Sequence, residues 1–241
     1  MKLNLLRSVL MSYILYFIII MLVPMYFQYK VKSTYNKYSR VKSTSGKSGQ
    51  QVAEEILAAN GITDVRVVEG EGFLSDHYDP SKKLVVLSPS NFRQPSVAGT
   101  AIAAHEVGHA IQHATGYSML KLRSALLPLA NLGTTFSYLL IMVGAVLTGI
   151  SQQGGGIGSM AIWAGVILMS FAVLFSIVTL PVEFDASNRA MNQIEKLGIV
   201  NAEEYKHAKR VLSAAAMTYV AATAVAVAEF LRFFMMARNS D

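Results

Sequence analysis

Cysteine is absent from the 241 residues, so neither a disulfide nor a thiolate metal ligand is available. Any metal held here must sit on histidine and carboxylate. Charge is scarce too: 15% of residues are Asp, Glu, Lys or Arg, against about 25% in soluble domains. The deficit is concentrated, because residues 8–29, 124–182 and 211–228 carry no charged side chain. A transmembrane helix needs roughly 20 mostly apolar residues. The first run supplies one span. The second, 59 residues long, supplies two, divided at Gly154-Gly155-Gly156-Ile157-Gly158. The third is Ala-rich and supplies a fourth.

The first run is too long for a signal-peptide core of roughly 7–15 residues, and no small-residue cleavage site follows it. It reads as an uncleaved anchor ending in the aromatic stretch Pro24-Met25-Tyr26-Phe27. Acidic residues are missing from 30–50, where Lys30, Lys32, Lys37, Arg40, Lys42 and Lys47 stand. Placed directly after a span, this basic stretch reads as a cytoplasmic juxtamembrane segment touching anionic lipid, not as a nucleic-acid arm. Gly46-Lys47-Ser48 looks like the end of a phosphate loop, but the first glycine of that motif would fall on Val41, which excludes it.

The expected organisation is an anchor (1–29), a basic linker (30–49), a small α+β domain (50–123), two transmembrane helices (124–182), a helical region (183–210), and a last span with its tail (211–241). The chain is thus expected to be mainly α and integral to a membrane, with about four transmembrane helices. Within 50–123, a helix over 50–60 is capped by Ser48 and Gln51 and stopped by Gly61. Strands are expected near Val65–Val68 and Leu84–Leu87, with Asp76–Ser81 as a turn between them. A helix over 97–116 ends at Gly116.

That last helix carries the chemistry. His105-Glu106-Val107-Gly108-His109 fits H-E-x-x-H, whose spacing puts two imidazoles on one helical face within reach of one ion. Shuffling this composition yields the pattern roughly 0.004 times per chain. Two histidines and a glutamate on a helix flanked by Ala101–Ala104 and Ala110-Ile111 need partners. The expected metal is zinc, which lowers the pKa of a coordinated water toward about 7. Glu106 is the expected general base, taking a proton and later returning one to the leaving amine.

Catalytic zinc usually has three protein ligands. The metzincin pattern would need glycine at 112 and histidine at 115, where Gln112 and Thr115 stand. His113 lies eight residues beyond His105, about 12 Å along a helix, and is expected to be structural or to support the site from behind. The first carboxylate after position 110 is Glu183. Two spans separate it from His105, so both lie on one side of the membrane. Glu183 is therefore the candidate third ligand, with a helix N-terminal carboxylate behind Pro181 as the competing reading. Asp185 is a candidate partner for a histidine N–H, with a plain surface role as its alternative.

Three segments together resemble the bacterial YugP-like neutral zinc metallopeptidases: Ser75-Asp76-His77-Tyr78-Asp79-Pro80, Ala103–His113 and Pro181–Ser187. The resemblance covers nearly the whole chain, span pattern included. It implies a gluzincin-type site in a zincin-like domain, with His105, His109 and Glu183 on zinc and Glu106 catalytic, in a bacterial inner membrane. More distantly the chain is similar to HtpX and the CAAX-processing Ste24 peptidases. Those carry E-x-x-x-D at the third ligand, whereas here Ser187 stands in place of the aspartate.

His77 and Tyr78 could stabilise an oxyanion, although turn chemistry alone accounts for their neighbourhood. Strand Leu84–Leu87 could be an edge that receives substrate by β-addition, or ordinary core. Glu229, with Arg232 three residues on, reads as an interfacial ion pair. The expected activity is endopeptidase hydrolysis of membrane-associated proteins or peptides at the cytoplasmic surface. A metal-binding membrane scaffold without turnover is the alternative, and intact Glu106 counts against it.

Overall fold

Four helices among the described residues are long and apolar enough to cross a membrane. The computed structural model describes residues 2–150 and 156–239, so Gly154 and Gly155 of the expected turn lie outside the described residues. The long helices are α1 (Lys2–Tyr38), α5 (Ser118–Ile150), α6 (Ile157–Lys196) and α7 (Ala202–Arg238). Between the first two stand α2 (Gly49–Ala59), β1 (Arg66–Glu69), β2 (His77–Asp79), β3 (Leu84–Leu87), α3 (Pro89–Arg93) and α4 (Val97–Ala114).

The local signals act as their chemistry dictates. Ser48 and Gln51 form the reciprocal capping box that starts α2. Gly61 and Gly116 take φ of 67° and 66°, which stops α2 and α4 in the left-handed conformation that glycine adopts at little cost. Ser96 accepts a hydrogen bond from the Gly99 N–H at 3.0 Å and opens α4.

Four features differ from the sequence reading. Helix α1 continues through the basic stretch to Tyr38, because Lys30 to Tyr38 contain no helix breaker and Tyr35 and Tyr38 are buried in the core. Helix α6 runs unbroken through Pro181. A long helix packed between neighbours tolerates a proline, and this continuity places Glu183 in a helix interior. The helix N-terminal reading of Glu183 therefore does not hold. The segment expected to be a turn contains β2. Finally, the sheet order is β1-β3-β2, with β3 parallel to β1 and antiparallel to β2. Leu84–Leu87 is the central strand, and the edge beside α4 is β2.

The core of the small domain joins Val52 and Ile56 of α2, Val85 and Leu87 of β3, and Ala101, Ala104 and Val107 of α4. Ile194, near the end of α6, and Ile199, just beyond it, belong to the same cluster. Each fully buried Val, Leu or Ile contributes about 1.5–3 kcal/mol, so α6 is anchored in the small domain as well as among the spans. In the membrane half, α5 and α6 pack as an antiparallel pair without room for a side chain at Gly144, where a Cβ would lie 2.6 Å from the Gly158 carbonyl oxygen. Helix α1 lies against α7. There the Tyr16 hydroxyl donates to Glu229 Oε1 (2.6 Å) and Arg232 donates to Glu229 Oε2 (3.0 Å). The expected Glu229–Arg232 pair exists, and it also binds the first span to the last.

Candidate metal centre

Helix α4 presents His105 and His109 one turn apart, with ring centroids 4.8 Å from each other. Helix α6 crosses α4 at Gly108, where an added Cβ would lie 2.5 Å from the Ala186 carbonyl oxygen. That close crossing brings Glu183, one turn before Ala186, to the imidazoles. Glu183 Oε2 lies 3.3 Å from His105 Nε2 and 3.6 Å from His109 Nε2. One ligand atom from each of the three lies within 4.8 Å of the others.

A divalent ion fits this trio. Zinc bonds of about 2.0–2.2 Å at tetrahedral angles set neighbouring ligand atoms about 3.4 Å apart. Glu183 Oε2 is buried and accepts no hydrogen bond, and an unsatisfied buried carboxylate oxygen is costly. A cation is what two imidazole nitrogens and an orphaned carboxylate oxygen jointly satisfy.

The surrounding hydrogen bonds select the ligating nitrogen. Gln112 is fully buried. Its Nε2 donates to the Val182 carbonyl and to Asp185 Oδ2, each at 2.8 Å. Its Oε1 is thereby turned toward His109 Nδ1 at 3.0 Å. An amide oxygen only accepts, so Nδ1 carries the proton and Nε2 offers its lone pair to the site. Ser187 Oγ lies 3.2 Å from His105 Nδ1 and is the hydrogen-bond partner of the other ring. Asp185 thus reaches His109 through Gln112, and it is itself fixed by Arg189 Nε at 2.6 Å.

Glu106 is buried beside the trio. Burial pushes its carboxyl pKa up, against the lowering pull of the His105 and His109 imidazoles. A carboxylate whose pKa is raised takes a proton from water more readily than an ordinary one. For His109, burial disfavours the imidazolium. The neighbouring carboxylates of Glu183 and Glu106 outweigh that, and the pKa of the metal-free ring rises.

A cavity of about 300 Å³ opens on the trio, and His77 and Tyr78 of β2 form part of its wall. Asp76 holds this wall in place by accepting from Ser88 N and Oγ and from Asn91 Nδ2. His77 Nδ1 bonds the Ser75 carbonyl at 2.8 Å, so that nitrogen carries the ring's proton. The Tyr78 hydroxyl pairs with His113 Nδ1 at 2.8 Å. His113 stands apart from the trio, as its spacing requires. A smaller cavity of about 190 Å³ reaches Glu106 and Glu183 from the α1–α7 side.

Arg123 and Tyr219 also face the site, and neither was singled out from the sequence. Arg123 Nη1 lies 3.6 Å from Glu183 Oε1, and Tyr219 lines both cavities. Only tertiary packing brings them there. Gln112 carried a readable signal, since it lies three residues after His109 on the same face.

A model of the family described as "Putative neutral zinc metallopeptidase" matches residues 13–238. The chain is 42% identical over 212 residues to "Putative membrane protease YugP" of Bacillus subtilis (strain 168), covering 88% of this chain and 90% of that relative. No solved structure matches it. A match running from the first span to the last, over a ligand trio of the kind a zinc enzyme needs, establishes that the chain belongs to this neutral zinc metallopeptidase family.

Proposed function

We propose that the chain is a membrane-embedded, zinc-dependent endopeptidase with a gluzincin-type centre in a zincin-like domain. The observation that carries this is the orphaned Glu183 Oε2 facing the Nε2 atoms of His105 and His109, with buried Glu106 beside them. His105, His109 and Glu183 would hold the ion. A bound zinc supplies Lewis acidity, which polarises a peptide carbonyl and acidifies a coordinated water. Glu106 takes the proton of the attacking water and delivers it to the departing amine, so that bond cleavage and proton transfer balance. Arg123 contributes a fixed positive charge beside the reacting carbonyl. Strand β2 is the sheet edge at the cavity, and an extended peptide can add there by backbone hydrogen bonds.

The site lies at the end of the long helices where Lys121, Arg123, Lys206, Lys209 and Arg210 also stand. Basic residues flanking spans favour the cytoplasmic side. The natural substrates on this reading are membrane proteins, their cytosolic loops, or peptides at the inner face of a bacterial inner membrane. A scaffold that only binds metal has no need of a buried Glu106.

The test is Glu106→Gln in the purified full-length protein. Zinc content should stay at the wild-type level while hydrolysis of an unstructured protein substrate falls at least about 100-fold, the scale of a general-base contribution. Retained cleavage in a zinc-loaded Glu106→Gln protein refutes the proposal.

A further inference from the structure

A cavity of about 720 Å³ lies away from the metal centre, between α1 and α7. Its walls carry five cations: Lys30 and Lys37 from α1, and Lys206, Lys209 and Arg210 from α7. On α1 the lining positions 30, 33, 34 and 37 follow helical spacing and make one face. On α7 the positions 206, 209, 210, 213 and 217 do the same. No carboxylate lines the groove, and none of the five cations forms an ion pair among the described residues. Arg210 donates to the Tyr38 hydroxyl at 3.1 Å, and the Tyr38 ring packs on His207 at 4.7 Å. The two helices are therefore tied together at the polar end of the groove.

Its depth identifies the occupant. Lys30 is the first charge after the uncharged run 8–29 of α1, and Arg210 is the last before the uncharged run 211–228 of α7. The groove straddles the level at which both helices leave the hydrocarbon. Its upper part is cationic, Ser33, Thr34 and Ser213 add hydroxyls, and Ala214 and Met217 continue it toward the apolar side. A phosphodiester needs clustered cations and hydroxyl donors, while the first carbons of an acyl chain need an apolar continuation. We propose that this groove is a binding site for the headgroup of an anionic phospholipid, built jointly by the two ends of the chain. Residues 31 and 35 of α1 and 211, 212, 215 and 216 of α7 line the smaller cavity at the metal centre. A lipid seated in the groove therefore braces the same helix pair that walls the site.

Full-length protein in detergent is titrated with dihexanoyl phosphatidylglycerol, dihexanoyl phosphatidylcholine or inorganic phosphate, and bound species are read by native mass spectrometry. Each cation near an anionic surface is worth about five-fold in binding. Lys206→Ala/Lys209→Ala should therefore weaken phosphatidylglycerol binding about 25-fold. Lys32→Ala/Arg40→Ala removes the same charge from exposed positions outside the groove and should leave binding within about two-fold, as expected of cations that do not touch the ligand. Lys209→Arg, which keeps the charge, should retain binding. Equal losses in the two double variants would mean diffuse surface attraction and overturn the site. So would equal affinity for the choline lipid, or displacement of the glycerol lipid by equimolar inorganic phosphate. The readout is lipid binding alone, so it stands whether or not Glu106 supports hydrolysis.

Discussion

Replacing Gly108 by alanine perturbs the metal centre without touching a ligand. The added Cβ would sit 2.5 Å from the Ala186 carbonyl oxygen, so α4 and α6 must separate by at least 0.5 Å to reach 3.0 Å, and by 0.9 Å to reach an ordinary 3.4 Å contact. Metal–ligand distances tolerate only about 0.2 Å. Glu183 lies one turn before Ala186 on α6 and is carried away with it. Two effects on stability oppose each other. Alanine gains about 0.8–1.0 kcal/mol of helix propensity over glycine, and overpacking costs about 1–3 kcal/mol. The net loss of stability is about 0–2 kcal/mol, small enough for the protein to remain folded. Zinc affinity should fall about 10–100-fold, the range seen when groups that support metal ligands are lost. The assay is zinc competition against a chromophoric chelator, run beside a thermal melt in detergent. Gly149→Ala is the matched control, because a Cβ there meets nothing within 4 Å. A folded Gly108→Ala protein with wild-type zinc affinity would refute the close-crossing argument.

Three further outcomes are expected. Gln112→Ala removes the acceptor that fixes the His109 tautomer, so zinc affinity should drop about 10–100-fold, measured by the same competition; an unchanged affinity would separate Gln112 from the site. The raised pKa of metal-free His109 means that protons compete with zinc from above the usual 6.5 downward. Zinc affinity should therefore rise with pH through the neutral range and level off once the ring is neutral, and a flat profile between pH 6 and 8 would contradict this. Arg232→Met removes the cation that pairs with buried Glu229 and should cost about 1–3 kcal/mol, seen as a lower melting temperature in detergent with zinc content unchanged.

The spans and the H-E-x-x-H helix were legible because each rests on a local pattern: uncharged runs of membrane length, and two histidines four residues apart. Glu183 was reached through topology, since it is the first carboxylate after two spans, and its oxygen lies 3.3 Å from His105 Nε2. The expected boundary between 182 and 183, just behind Pro181, does not interrupt the helix. Proline ends helices in water, yet within a packed bundle α6 passes straight through it. β2 was hidden because its three residues carry turn-forming neighbours, and only pairing with β3 makes them a strand. Arg123 and Tyr219 gave no signal, as nothing in their local sequence points to a helix 60 residues away from one and 36 from the other (183 − 123 and 219 − 183). The supporting role expected of the fourth residue after Glu183 is filled by a hydroxyl: Ser187 meets His105 directly, while Asp185 acts through Gln112.

Gly108 and Ala186 belong to helices made far apart in time. Glu183 leaves the ribosome 74 residues after His109 (183 − 109), with the whole α5–α6 hairpin between them. Until that hairpin is threaded into the bilayer and folded back, a nascent chain offers two imidazoles and no third ligand, too few for the usual catalytic zinc coordination. Competence to hold the ion therefore arises only after insertion. On the proposed function, a chain stalled part-way through insertion has no assembled centre with which to cleave a peptide.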